Sequence, residues 1–324
     1  MSAHSIALVT IISVCLLAGD AQAQSDASYP LRPIRFIVPF PPGSSTDIAA
    51  RVIAAPAAGA LGQNLVIDNR AGASGQIGAE LGARAAPDGY TLVIGTTSTH
   101  ALATALNRKL GYDPQRDFTP LTLIGSSPYV LALHPSVAAA NVNELLALAR
   151  AKPASVRYAS AGNATLGHLA GELFSTLAGV QLSHVPYKSS ALAAPDVLAG
   201  RIEMQFGSIP PTLPHVLAGR LRAIAVTGAR RLANLATVPT VAESGIPGYE
   251  VALWMGIFLP ARTPPVIVER LSRDLSAVLG SREVTDVLAR HGIDAEASSP
   301  QQFATHIANE LLKWRKVALA ARIE

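Results

Sequence analysis

Residues 38–55 read VPFPPGSSTDIAARVIAA, three prolines and a glycine set between two apolar patterns of different period. Upstream, Ile34-Arg35-Phe36-Ile37-Val38 is apolar and partly β-branched, which suits a buried strand. From Asp47 onward, Ile48, Val52 and Ile53 recur at the spacing of one helical face. The connecting Gly43-Ser44-Ser45-Thr46 has small side chains and a run of backbone N–H groups. The first N–H groups of a helix lack intrahelical partners, and the helix dipole adds partial positive charge there. A strand, a Gly/Ser turn and a helix in that order predict an α/β unit with an anion at the helix start.

The same grammar continues along the chain. Strands are expected at Pro33–Val38, Leu65–Asp68, Thr91–Gly95, Tyr129–His134, Val156–Ser160, Leu182–Tyr187, Ile202–Phe206, Leu221–Thr227 and Gly256–Leu259. Helices are expected between most of them, at Asp47–Leu61, Gly75–Ala85, Val142–Ala151, Thr165–Leu177, Ala191–Ala199 and Leu213–Ala218. The C-terminal third turns helical: one helix follows Pro264-Pro265, a second spans Glu283–Arg290 and stops at Gly292, and a third starts at Ser299-Pro300. These three are expected to pack across a sheet edge. No tandem repeat or long linker separates two units, so two lobes would be joined by strand crossovers, with candidates at Leu123–Tyr129 and near Thr227-Gly228.

The chain has 324 residues, 49% of them hydrophobic and only 15% charged, which is a globular composition with ample core. Ile6 to Gly19 is an apolar run of 14 residues, short for a membrane span, followed by Ala21-Gln22-Ala23. Residues 1–23 are read as a cleaved signal peptide. Cleavage would remove Cys15, the single cysteine, and with it every disulfide, thiolate or cysteine-nucleophile reading. It would also remove Asp20 and lift the net charge from +4 by one. An exported, disulfide-free chain of this kind fits the periplasm. Basic residues are scattered, and no basic run is interleaved with aromatics, so nucleic acid is not expected as a partner.

Four Gly- and hydroxyl-rich segments sit beside strands: Gly43 to Asp47, Asn69 to Gly78, Ser160 to His168, and Val185 to Ser190. Taken singly, each is ordinary loop chemistry. Gly72, Gly75 and Gly78 form G-x-x-G-x-x-G, which is not the dinucleotide fingerprint, and there is no Walker A motif or nucleophile elbow. His168 falls beside Leu169 and Leu173 and reads as a packed histidine, as do His134 and His184. Asp47 reads as a helix cap, Asp68 and Asp88 as turn residues. No ligand spacing suggests a metal, and no cofactor is expected.

Together, YPLRPIRFIVPFPPGSSTDIAAR, NRAGASGQIGAELGARAAPDGYTLVIG, YASAGNATLGHLAGELF, VPYKSSALAAPDVLAGRIEMQFGS, LRAIAVTGARR, VPTVAESGIPGYE and WMGIFLPARTPP resemble the Bug family, the TctC-like solute receptors of tripartite tricarboxylate transport systems. The resemblance implies a two-lobe periplasmic binding-protein fold of type II, a Venus flytrap. Each lobe would be a mostly parallel α/β sheet flanked by helices: lobe 1 from 29–126 plus 229–324, lobe 2 from 127–228. It implies a small carboxylate ligand (a dicarboxylate, tricarboxylate, amino acid or aromatic acid) held by amides, hydroxyls and waters, and a monomer that hands it to inner-membrane transporter subunits. Carried onto this chain, the first-lobe contacts are Phe40, Gly43, Ser44, Ser45, Thr46, Asp47, Gly72, Ala73, Ser74 and Gly75. The second-lobe contacts are Gly162, Asn163, Ala164, Thr165 and His168, with Tyr187, Lys188 and Asp196 nearby. Three positions depart from the family pattern: Ser44 stands for a glycine, Ala164-Thr165 for Gly-Ser, and Ser189 for the glycine after Lys188, each adding bulk. Two alternatives stand beside this reading: an exported hydrolase using Ser74 or Ser45 with His168, and a sensor that feeds a signalling partner.

Overall fold

A computed structural model describes residues 29–106 and 109–321. The apolar run, Cys15 and the cleavage site lie outside the described residues. Among the described residues, no helix is long and apolar enough to cross a membrane.

The opening stretch forms strand β1 (Ile34–Val38) and helix α1 (Ser45–Leu61), followed by β2 (Leu65–Asn69), α2 (Gln76–Ala83) and β3 (Thr91–Thr96). β4 (Phe118–Leu133) then leads to α3 (Val142–Ala151), β5 (Arg157–Ser160), α4 (Leu166–Ala178), β6 (Ser183–Pro186) and α5 (Ser190–Leu198). β7 (Met204–Ser208), α6 (Ile209–Leu217), β8 (Arg222–Val226) and β9 (Ala252–Pro260) complete most of the sheet. The chain closes with α7 (Pro265–Leu279), α8 (Arg282–Arg290), the short β10 (Asp294–Ala295) and α9 (Pro300–Ala321).

The strands run in the order β2-β1-β3-β9-β4-β7-β5-β6, with β8 and β10 also paired to β4. Pairing is parallel toward both ends of this order, β1 with β2 and β3, β5 with β6 and β7. Buried strands covered on both faces read as continuous apolar runs, which is why Ile34–Val38 shows no alternation. The middle is antiparallel and centres on β4.

β4 changes partners along its length. Through Pro128 it pairs with β9, and from Tyr129 it pairs with β7 and β8. The sequence reading made Leu123–Tyr129 a crossover and began a strand at Tyr129; the crossover is itself strand, one continuous run from Phe118 to Leu133. Gly125 sits at φ +147°, and a Cβ there would lie 2.1 Å from the Asp294 carbonyl oxygen, so the glycine admits the close approach of β10. The register shifts there, a bulge in place of a turn. Thr227 stitches this strand to the segment entering β9: its Oγ1 accepts from the Tyr129 N–H at 2.7 Å and donates to the Val251 carbonyl at 2.6 Å. The two crossover candidates read from the sequence therefore meet side by side.

Two of the three C-terminal helices, α7 and α9, lie against the central strand β4 and not an edge, while α8 packs on α1 and β10. Phe303 of α9 fills the space over Gly256 of β9, where a Cβ would come within 2.0 Å of its ring. Ser272 of α7 donates to the Leu121 carbonyl of β4. The antiparallel insertion of β9 between β3 and β4 makes these strands central, and sequence periodicity carries no sign of that insertion.

Candidate functional site

Five helical segments start at one small cavity between the two halves of the sheet, counting only the described residues. Ser44 caps α1, Thr165 precedes α4, Ser189 caps α5 and Ser208 precedes α6, while Ser98 opens a π-helical turn (Ser98–Leu102) after β3. All five residues line the same cavity, with Phe40, Tyr129 and Leu253 among its other wall residues. Each segment leaves a strand at its carboxyl end and enters a helix, so first-turn N–H groups without intrahelical partners gather here, fewest at α6, where Pro210 and Pro211 have no N–H. Among the described lining residues none carries a charge at neutral pH. Burial raises the Tyr129 phenol well above its ordinary pKa and keeps it neutral. Helix dipoles and hydroxyls thus supply the electrostatics here, which suits an anion.

Local bonds fix the first of these turns. Ser44 Oγ accepts from the Asp47 N–H, and Asp47 Oδ2 accepts from the Gly43 N–H at 2.9 Å, a reciprocal cap. Burial pushes the Asp47 carboxyl up, but hydrogen bonds from Arg51, the Gly43 amide and Asn69 outweigh it and hold the group below its usual value. Ser45 Oγ is fully buried and has no hydrogen-bond partner among the described residues.

The cavity is small, about 30 Å³. It shares Phe40 and Ala161 with an outer groove of about 590 Å³, lined by Gly72 to Gly75, Gly162, Asn163, Tyr187 and Lys188. Across this groove Ser74 Oγ donates to the Asn163 carbonyl at 2.6 Å, and deeper in, the Leu166 N–H donates to Ser98 Oγ at 3.3 Å. The two halves are drawn together by these bonds. Gly162, at φ +129°, lets two turns of the same half pack closely: a Cβ there would lie 3.0 Å from the Tyr187 carbonyl oxygen. A third groove, about 680 Å³, runs between α7 and the start of α9 with Glu269 and Arg273 on its walls. It is larger, yet it mixes both charge signs on its walls and meets only two helix starts, those of α7 and α9.

Of the residues singled out from the sequence, Phe40, Ser44, Ser45, Thr46 and Thr165 line the inner cavity. Gly72, Ala73, Ser74, Gly75, Gly162, Asn163, Tyr187 and Lys188 line the outer groove. Gly43, Asp47, Ala164, His168 and Asp196 line neither and support the turns from behind. Asp196 accepts from the Tyr187 hydroxyl and from Arg201, and His168 Nδ1 accepts from the Ala164 N–H at 3.2 Å. Ala161, Ser189 and Ser190 fall in segments the sequence reading marked without naming them as contacts, while Ser98, Tyr129, Ser208 and Leu253 were missed as wall residues. Ser98 and Ser208 follow strands and open helices, the same grammar as Ser44, so that signal was present. Leu253 arrives only through the pairing of β9 with β4, and Tyr129 only through the pairing of β4 with β7.

The hydrolase alternative fails on geometry. Ser74 Oγ donates to a carbonyl, Ser45 Oγ touches no histidine, and His168 is occupied by Ala164 and stacked on His184. The Ser160–His184 contact, at 2.6 Å, lies behind the turn and out of both chambers.

Residues 49–322 match the tripartite tricarboxylate transporter family receptor, TctC. The chain belongs to the TctC family. Protein BugT of Bordetella pertussis is 35% identical over 312 residues, which cover 96% of each chain. Among solved structures, Rpa4515 of R. palustris with adipate is 40% identical with a TM-score of 0.88, covering 91% of this chain and 98% of that one. MatC from Rhodopseudomonas palustris with bound malate is 31% identical with a TM-score of 0.84, covering 89% and 99%. TctC proteins are solute-binding receptors and not enzymes, in keeping with the neutral, amide-lined cavity.

Proposed function

We propose that this TctC protein is a periplasmic receptor that binds a small carboxylate in the chambers between its lobes. It would then deliver the ligand, as a monomer, to the membrane subunits of a tripartite tricarboxylate transporter. The observation that carries the reading is the convergence of five helical starts on one cavity without a charged wall residue. Such a site neutralises a carboxylate with partial charges and leaves it free to depart when the lobes part. The adipate and malate held by two similar structures support a dicarboxylate as the ligand class.

The moving bodies are residues 29–126 with 229–321, and 127–228, pivoting where Tyr129 and Thr227 are bonded. Closure forms contacts from both lobes and shifts the open–closed population toward the bound state. Titration calorimetry against dicarboxylates, tricarboxylates, amino acids and aromatic acids tests this. One acid binding far more tightly than its uncharged amide supports the proposal, and no heat from any acid overturns it.

A further inference from the structure

Asn163 and Ala164 share one peptide unit, and its two polar ends are held from opposite halves of the molecule. The carbonyl accepts from Ser74 Oγ of the first half at 2.6 Å, and the N–H donates to His168 Nδ1 of the second half at 3.2 Å. A peptide unit is planar and turns as one body, so whatever fixes the N–H also aims the carbonyl. Two residues on, the Leu166 N–H donates across to Ser98 Oγ at 3.3 Å. Of the five non-glycine residues with positive φ among the described residues, three meet at this contact: Ala73 at +46°, Ser74 at +58° and Ala164 at +55°. Backbone of that kind persists only where its surroundings hold it, and it gathers at sites that switch.

The bond to His168 requires one protonation state. An imidazole nitrogen accepts only while it carries no proton, so the ring is neutral with its hydrogen on Nε2, the nitrogen 3.7 Å from Glu172. A proton on Nδ1 sets a donor against the Ala164 donor. The bond is lost, the peptide is free to turn, and the Asn163 carbonyl leaves Ser74. His168 keeps 19% of its side chain exposed, enough to exchange a proton with solvent.

The groups around the ring set how readily this happens. Burial holds His168 below the ordinary histidine value, while Glu172 on the same helix draws the proton on. His184 on β6 is lowered by burial and then by His168, stacked at 4.1 Å, so the pair resists a second charge. Burial keeps the Tyr158 phenol on β5 neutral, with its ring 4.9 Å from His184 and its hydroxyl donating to Glu172 at 2.8 Å. β7 faces Tyr158 with Phe206, and Tyr249 bonds the Ala170 carbonyl of α4. α9, packed on α4, carries Glu310 and Lys313 paired to each other. On the groove side Lys188 lines the wall and the Tyr187 hydroxyl is committed to Asp196. The first half meets the turn with the hydroxyls of Ser74 and Ser98.

We propose that His168 is a positioning residue that couples lobe closure to pH: its neutral ring aims the Asn163 carbonyl at Ser74, and protonation at Nδ1 releases that bond and parts the lobes. This deepens the receptor reading and rests on its two moving bodies. With one proton taken up on opening, the ratio of closed to open protein falls by at most about tenfold per pH unit. A solute gripped by both lobes is then held at neutral pH and released faster in acid.

Small-angle scattering on the ligand-free protein at pH 7.5 and pH 5.0 tests this without any choice of ligand, on the parent, Ser74→Ala, His168→Asn and His168→Leu. The Asn side-chain oxygen can replace Nδ1 as acceptor but does not titrate, and Leu offers no acceptor. Support is a parent whose radius of gyration grows in acid to that of Ser74→Ala, with Ser74→Ala and His168→Leu large at both pH values and His168→Asn small at both. Circular dichroism that matches at the two pH values shows that the growth is opening and not unfolding. A parent radius unmoved by pH, or a swing in His168→Asn equal to the parent's, overturns the proposal. Should His168→Leu fail to fold, those two comparisons still decide. The receptor reading is judged separately by the calorimetric panel: an acid that binds while the scattering shows no pH swing removes the switch and leaves the receptor standing.

Discussion

His168 and His184 stack face to face, 4.1 Å between ring centroids, directly behind the turn that carries Asn163. His168 Nδ1 accepts from the Ala164 N–H, and His184 Nε2 bonds Ser160 Oγ, which itself bonds the Gly162 amide and carbonyl. Ala164 is held at φ +55°, so the pair braces a strained turn. Tyr158 and Glu172 complete the cluster, with Glu172 3.7 Å from His168 Nε2.

Burial pushes both rings below the ordinary histidine value, and for His184 the neighbouring His168 adds to it, bringing that ring to about 4. The unfolded chain takes up these protons near pH 6.5 and the folded pair resists them, so stability is complete above 6.5 and falls as the pH drops toward 4. The loss is on the order of 1–2 kcal/mol after discounting for partial exposure. Melts at pH 7.5, 5.5 and 4.5 measure it, and a His168→Gln, His184→Gln double variant has a shallower slope than the parent.

Ser45→Ala separates stability from binding. The buried, unpartnered hydroxyl costs the folded protein about 1–3 kcal/mol of desolvation, so its removal raises the melting temperature of the free protein. In the proposed site the same change would take a hydrogen-bond donor from the carboxylate and weaken its binding roughly tenfold. A melting scan and a calorimetric titration of the one variant read opposite signs.

Ser74→Ala opens the clasp to the Asn163 carbonyl. A net hydrogen bond of about 0.5–1.5 kcal/mol corresponds to a weakening of binding by roughly 2- to 12-fold, appearing mainly as faster dissociation. Small-angle scattering registers a larger radius of gyration for the free variant, and stopped-flow release gives the rate.

Gly256→Ala forces a methyl into the Phe303 ring, where its Cβ would lie 2.0 Å away. Overpacking of this kind costs typically 1–3 kcal/mol, so chemical denaturation shifts to a lower midpoint. Gly256→Ala with Phe303→Leu recovers part of the loss, since the smaller side chain yields the space.

The α/β class, the type of nearly every element, and the Gly/Ser turns at Ser44 and Asn163 were legible in the chain because each rests on interactions between neighbours in sequence. Helix caps, strand hydrophobicity and the N–H groups of a first turn are local, so residues a few positions apart encode them. The clasp between Ser74 and Asn163 and the meeting of Tyr129 with Thr227 join residues 89 and 98 positions apart. Nothing in a local pattern selects among such pairings. Ser208 shows the boundary well: its strand–serine–helix grammar is written in the sequence, but only the antiparallel pairing of β7 with Tyr129 brings it to the same wall as Ser44. The sequence by itself determined which turns present free amides. Tertiary structure decided which of them face one another, because β4 changes partners at Pro128 and carries the two halves of the sheet onto a common cavity.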